Sequence, residues 1–487
     1  MAPVLSRLEL LPDELLLQVA RQLEDGDLAT CSRVSRKVRS IAQDILYRDI
    51  ELEGHCFMSG AGKVALFLRT LIERPDLAQK VDTLQFLTSR RNVTGELKDH
   101  GVEFGEIRQL ALNKVDELGY GKDHPWCRMM GVSINSAFGG LLLVLVPHLR
   151  GLTFGVYDNH HGLVSSEPFF AMYGTPAIIE PAVPMFRNLN SLGISADHLP
   201  ILYLDMPHLT ALTMDKVTTV QMCRLNGPGS LKGGFNLKEL KLELVAQVAD
   251  ADLMDALQMS IADLLDAMGN PALTSFNTHI WSESFTHGHP SFDANFFIVK
   301  GLEKVAPSIQ NIEIWIRHNC AHGDGEWILD HTKVPITNLK NFTSLKRLSL
   351  PYRFLALPSN EDSPDAENID VAGLFPASLR TIELIYPYDT AVQFLREIVK
   401  KRDALPLLKK IGFVCSVDIA EPAELFWSTD MPEVKDAGIC CDAVDHDTEE
   451  VHFLGHYVGI DSDDDEEEED DDDLPELEEL PEVEEMD

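Results

Sequence analysis

The densest group of metal-type ligands in the sequence is His318-Asn319-Cys320-Ala321-His322, with His287 and His289 upstream. Imidazole and thiolate at such short spacing can hold zinc, which takes four nitrogen or sulfur ligands in a closed tetrahedral site. The pattern stops short of that chemistry. No second close cysteine pair completes the set, and the group follows the apolar alternation Ile312 to Ile316, where a loop is expected. Cys440-Cys441 with His446, His452 and His456 is equally thin. Both groups are read as loop polarity, and neither a metal nor another cofactor is expected. There is no G-x-S-x-G, no Walker loop and no H-E-x-x-H. Gly227-Pro228-Gly229 and Lys232-Gly233-Gly234 lack the strand-to-helix setting that a phosphate loop needs. No catalytic residue is assigned, and the chain is read as a non-enzyme that works by recognition.

The residues that speak for recognition lie near the N-terminus. Pro12 suits a first helical turn because it has no N–H to satisfy there, and Asp13 and Glu14 put negative charge where the helix dipole favours it. Leu15, Leu16, Val19, Ala20 and Leu23 then recur at helical spacing. Glu24-Asp25-Gly26 breaks the pattern, and Asp27 is the expected N-cap of a short second helix carrying Leu28, Ala29 and Val34. A third helix is expected over Arg36 to Tyr47, with Val38, Ile41, Ala42, Ile45 and Leu46 on one side. Three short helices cannot bury this much apolar surface among themselves, since so small a unit is marginal alone. The surplus implies a partner.

This layout resembles the F-box. The family's first helix is matched by Leu11, Pro12, Glu14, Leu15, Leu16, Val19 and Leu23, the opening of its second by Asp27 and Leu28, and its third by Val34, Ser35, Arg36 and Arg39. Val38 stands where the family usually has Trp, which removes aromatic area from the packing. The resemblance implies docking to the adaptor subunit of SCF-type ubiquitin ligases and, through it, to a cullin. The implied adaptor-binding residues are Leu11, Pro12, Glu14, Leu15, Leu16, Val19, Leu23, Leu28, Val34 and Val38.

The chain has 487 residues, longer than one ordinary core, so several domains or a repeat array are expected. With 45% hydrophobic and 25% charged residues, most of it should fold. The net charge of −38 is concentrated: 19 of the 27 residues from Asp461 to Asp487 are acidic, and that stretch carries half of the total. Such a balance repels nucleic-acid phosphate, and the tail is expected to be disordered, free to attract basic surfaces. Ser462, followed by Asp463-Asp464-Asp465-Glu466, is the site expected for an acidophilic kinase. The longest apolar run, Leu141 to Val146, is too short to span a bilayer, so no membrane is expected. Eight cysteines without a C-x-x-C pair fit reduced thiols in cytoplasm or nucleus.

Between these ends an L-x-x-L-x-L spacing recurs, as at Leu149/Leu152/Phe154, Leu189/Leu192/Ile194, Leu209/Leu212/Met214 and Leu237/Leu240/Leu242. It continues at Ile309/Ile312/Ile314, Leu345/Leu348/Leu350, Leu379/Ile382/Leu384 and Leu408/Ile411/Phe413, with Leu273/Phe276 filling the gap. From position 237 onward the intervals are 36, 36, 36, 34 and 29 residues. Val81/Leu84/Phe86 and Ile107/Leu110/Leu112 are read as looser early copies. A strand with a helical or irregular return, repeated in this way, resembles the leucine-rich-repeat solenoid in degenerate form. Lys63 to Leu77, an amphipathic helix stopped by Pro75, joins the two parts without a flexible linker and is similar to the start of the repeat region in fungal F-box proteins.

The expected fold class is α/β: an all-α F-box at 1–52, a connecting helical segment at 53–80, an irregular leucine-rich-repeat-like solenoid at 81–458 and an acidic tail at 459–487. In β-strands alternate residues share a face, so Lys241, Glu243, Glu313, Trp315, Arg317, Arg347 and Ser349 are expected on the open, target-binding side. The function expected from these features is the substrate-recognition subunit of an SCF-type ubiquitin ligase. The alternative is a non-ligase interaction scaffold whose acidic tail binds basic partners.

Overall fold

The computed structural model describes residues 11–52, 60–89, 104–121, 124–132, 135–157, 186–195, 206–217, 236–246, 261–266, 268–269, 272–282, 292–318, 332–355, 370–387, 390–415 and 432–445. Three helices come first: α1 (Asp13–Ala20), α2 (Asp25–Cys31) and α3 (Arg36–Leu46). Pro12 is the N-cap of α1, with Asp13 and Glu14 in the first turn. The second helix begins two residues ahead of the expected Asp27 cap. Glu24 stands at its N-cap without a side-chain bond, because Asp25 and Asp27 both fit inside a first turn that favours negative charge. Ser35 caps α3 by accepting the Val38 N–H at 3.3 Å. Leu16, Ala20, Leu28, Ile41 and Ala42 are the buried centre of this unit, with Leu11, Leu17, Leu23, Cys31, Ile45 and Leu46 packed around them.

The polar residues of the third-helix motif close the bundle. Lys37 donates to the Leu11 carbonyl at 2.6 Å and pairs with Asp13 at 3.0 Å, tying α3 to the start of α1. Arg39 Nε donates to the Ser32 carbonyl at 2.8 Å, tying α3 to the end of α2. Beyond Tyr47 the chain passes without a break into a short strand, β1 (Asp49–Glu51).

A mixed α/β region with a parallel sheet follows. Its strands are β2 (Thr83–Ser89), β3 (Gly151–Tyr157), β4 (Ser191–Ser195), β5 (Ala211–Val217), β6 (Glu239–Ala246), β7 (Ser275–Ser282) and β9 (Asn311–His318). The last four are β11 (Arg347–Pro351), β12 (Thr381–Ile385), β13 (Lys410–Cys415) and β14 (Cys440–Asp445). With β1 they form, among the described residues, one 12-stranded sheet in chain order; β8 (Phe292–Asp293) and β10 (Thr332–Val334) stand outside it and pair with each other. Every pairing is parallel, so each strand must be followed by a return segment that carries the chain back to the same edge.

The register turns the sequence spacing into columns. Leu240, Phe276, Ile312, Leu348, Ile382 and Ile411 are mutual partners across adjacent strands, and all are buried. A second column runs through the residue that immediately precedes each strand. Its carbonyl accepts the N–H groups of two residues in the next segment, as Lys346 does from Arg380 at 2.8 Å and Thr381 at 3.0 Å; this ladder runs from Arg48 to Arg380 and ends at Lys409, which accepts from Cys440. Serines ahead of two strands add a side-chain rung: Ser308 Oγ donates to the Leu273 carbonyl and Ser378 Oγ to the Leu345 carbonyl, both at 2.8 Å.

Four differences from the sequence expectation have local causes. Ile107/Leu110/Leu112 is not a strand copy but part of helix α5 (Phe104–Glu117), where Ile107, Ala111 and Val115 are buried at a four-residue interval that only a helix satisfies. The connecting helix is α4 (Gly60–Glu73), and Pro75 opens a further short turn, Pro75–Ala78, after Arg74. The sheet starts at β1, before position 81, because Asp82 and Thr83 both donate to the Arg48 carbonyl. It ends on β14, whose Cys441 pairs in register with Ile411 but is exposed, so the leucine spacing stops there. Two further helices, α6 (Pro125–Gly131) and α7 (Asn135–Leu145), pack with α5 and α4 over the first strands.

Candidate functional site

Two surfaces carry the residues that the sequence singles out. On the helical unit the apolar side chains divide sharply. Leu15, Val19 and Val34 are large apolar side chains exposed at 46%, 50% and 60%. Leu16, Leu28 and Val38, expected on the docking face, are instead turned into the bundle. Leu16 and Leu28 pack there with Ala20, Ile41 and Ala42, where burial outweighs exposure. Pro12 and Glu14 are exposed beside Leu15, while Leu11 and Leu23 are half-buried at the margin. The bundle therefore presents an apolar strip on α1, with Val34 just ahead of α3.

Residues 8–53 match the F-box-like family. This chain carries an F-box-like domain. F-box domains bind the adaptor of SCF-type ubiquitin ligases and thereby cullin. No curated protein matches the chain. The F-box-like domain continues directly into the sheet. Lys80 pairs with Asp44 of α3, Tyr47 stacks on Phe67 of α4 at 6.2 Å, and Thr83 Oγ1 donates to Asp49 at 2.6 Å.

The second surface is the sheet face opposite the buried leucine column. Register places Lys241, Asn277, Glu313, Ser349 and Glu383 in one row, and Glu243, His279 and Trp315 in the row two residues further on. Arg317 continues β9 opposite Trp281, and Arg347 begins β11 opposite Asn311. Apart from Arg317, the expected residues thus lie on the same side of adjacent strands. Two of them are closed to a partner. Ser349 is 0% exposed, its side chain too short to rise past its register neighbours Glu313 and Glu383. Glu243 is buried next to His279, which is itself buried and which the sequence reading missed because a lone histidine in a strand carries no pattern.

Trp315 and Arg347 are held in place. Trp315 Nε1 donates to Glu313 Oε1 at 2.8 Å, fixing the indole across the strand. Arg347 donates to Glu383 at 2.7 Å, and this hydrogen bond raises the guanidinium pKa above its already high ordinary value against the opposing effect of partial burial. Tyr386, with a positive φ of 54°, reaches back to donate from its hydroxyl to the Ile316 carbonyl at 3.2 Å. An indole, carboxylates and an arginine thus stand together on this face, and Trp and Arg are residue types that dominate protein–protein contacts.

His318 ends β9, while Asn319 to His322, His287 and His289 lie outside the described residues, as do His446, His452, His456, the glycine cluster at 227–234 and Ser462 with the acidic tail. Cys440 and Cys441 are exposed. Among the described residues no three metal-type side chains come together, and no helix is long and apolar enough to cross a membrane.

Proposed function

We propose that this chain is the substrate-recognition subunit of an SCF-type ubiquitin ligase. The F-box-like domain docks the adaptor through Leu15 and Val19 of α1 with Val34, and the open sheet face captures a target protein. The observation that carries this reading is the uncovered apolar strip on an F-box-like domain whose own core is complete without it. Burying such side chains is worth about 1.5–3 kcal/mol each, enough for a few of them to hold a specific complex.

The parallel sheet is read as the strand side of a degenerate leucine-rich-repeat-like solenoid spanning 81–458, preceded by the connecting segment at 53–80. Support comes from the chain-order topology and from the leucine columns. The chain supplies no bond-making group of its own in this reading; it positions a target for transfer by other subunits. Co-purification of the full chain with adaptor and cullin from cells is the test. Retention of both, lost on mutation of Leu15 and Val19, is the expected result, and absence of the adaptor from the purified wild-type chain would overturn it.

A further inference from the structure

The carbonyl ladder ahead of the strands has an uneven charge. In its last part Lys346, Arg380 and Lys409 follow one another immediately ahead of three adjacent strands, β11, β12 and β13. The Arg380 N–H lies on the Lys346 carbonyl and the Lys409 N–H on the Arg380 carbonyl, both at 2.8 Å. All three side chains are exposed. Arg347 and Lys410, the first residues of β11 and β13, flank this strip, and Arg347 is already engaged by Glu383.

Like charges held one strand apart, about 4.8 Å in a sheet, repel and destabilise the pairing. The sequence has 79 acidic residues against 41 basic ones, so a run of three cations on adjacent strands is not a product of composition. Nor does the fold use the charges. Among the described residues Lys346 bonds only the neutral Gln310 Oε1, at 2.7 Å, and the side chains of Arg380 and Lys409 have no partner. The chain's large net negative charge does not cancel the strip, because beyond about 8–10 Å exposed charges are screened at physiological salt. Leu407, 44% exposed and two residues before Lys409, adds an apolar foothold at one end. A phosphodiester backbone has nothing to place there, whereas a peptide side chain has.

We propose that Lys346, Arg380 and Lys409, with Leu407 beside them, form a docking strip for an acidic polypeptide segment. The strip lies at the leading edge of the strands rather than on the open face, so it is independent of the target-binding reading above. It holds carboxylates by charge and gains its preference for polypeptide from Leu407.

The probe is a dye-labelled peptide of glutamates with one central leucine, titrated with the full chain at low salt and followed by anisotropy. Saturable binding that weakens as salt rises is expected. The triple variant Lys346→Glu, Arg380→Glu, Lys409→Glu should lose at least about tenfold in affinity. The control triple Arg69→Glu, Arg108→Glu, Lys114→Glu, on α4 and α5, changes the net charge equally and should bind as the wild type does. Lys346→Gln, Arg380→Gln, Lys409→Gln should fall between them with an unchanged circular dichroism melt. No saturable binding, or an equal loss in both Glu triples, overturns the proposal. So does binding of charge-matched duplex DNA or anionic vesicles through the same three residues as tightly as the peptide.

Discussion

Leu15 and Leu16 are consecutive in the chain and opposite in space: on α1 the first is 46% exposed and the second 5%. A helix turns about 100° per residue, so neighbours in sequence diverge while Leu15 and Val19, four apart, share a face. In the proposed docking the pair separates partner binding from folding within one dipeptide. Leu15→Asp with Val19→Asp should leave the melting temperature nearly unchanged and abolish adaptor co-purification, because carboxylates buried in an apolar interface cost several kcal/mol. Leu16→Ala should do the reverse, lowering stability by about 2–5 kcal/mol while any folded fraction still binds. Full adaptor recovery with the Asp pair would exclude this face.

Trp315 is expected to matter for the target and little for the fold. Its indole is half-buried and its N–H is held by Glu313 rather than by core. Trp315→Ala should abolish ubiquitylation of those proteins whose modification in cells depends on the wild-type chain. Glu313→Ala should weaken it more modestly by freeing the ring. Melting curves decide whether the effect is on recognition: a drop of many degrees for Trp315→Ala would place the indole in the core instead.

How much of this was legible in the sequence follows from the kind of pattern each element leaves. The three helices near the N-terminus carried caps, a breaker and helical spacing together, and the strands β3 to β13 of the large sheet, β7 excepted, carried L-x-x-L-x-L because two inward positions and the turn residue before them are buried in each. Ile107/Leu110/Leu112 fits the same letters by accident, since i, i+3, i+5 overlaps the helical spacing until Ala111 and Val115 are counted. β1 and β14 escaped because edge strands bury less and need fewer leucines. Open-face residues were assigned by alternation alone, which gives the side of the sheet but not the height of the neighbours. That is why Ser349 and Glu243 proved buried.

The helical insert supplies a pH-dependent term. His124 Nδ1 accepts the Trp126 N–H at 3.2 Å at the start of α6, and its ring meets Tyr120 edge-on at 4.9 Å. Burial, and then the nearby Arg128, push the imidazole below its ordinary value of 6.5. A histidine with a lowered folded pKa binds fewer protons folded than unfolded. Its contribution is therefore present above the unfolded value and is lost as pH falls below it. Asn at this position can also accept the capping N–H but does not titrate. Between about pH 7 and about pH 5 the wild type should lose melting temperature relative to His124→Asn. A constant difference across that range would show that His124 does not report on folding.

Gly139 sets how closely α7 approaches β2, and replacing it pits two effects against each other. In an ordinary helix Gly→Ala gains up to about 1 kcal/mol from backbone entropy. Here a Cβ would lie 2.7 Å from Thr88 Cγ2 and 2.9 Å from Phe86 Cε2, closer than real Cβ contacts come. Neither neighbour can swing away freely. Phe86 is buried and stacked on Phe154 at 6.0 Å, and the Thr88 hydroxyl donates to the Gly155 carbonyl at 3.3 Å. Overpacking of a closed core costs about 1–3 kcal/mol, which exceeds the entropic gain. Gly139→Ala should therefore lower the melting temperature, and Thr88→Ala in the same chain should recover part of the loss, because it removes the nearer of the two clashes but leaves Phe86. The two substitutions would then be non-additive, as expected of residues in contact. A rise in melting temperature for Gly139→Ala alone, or strict additivity of the pair, would mean that helix and sheet yield at this point and that the close approach is not what fixes α7 on the strands.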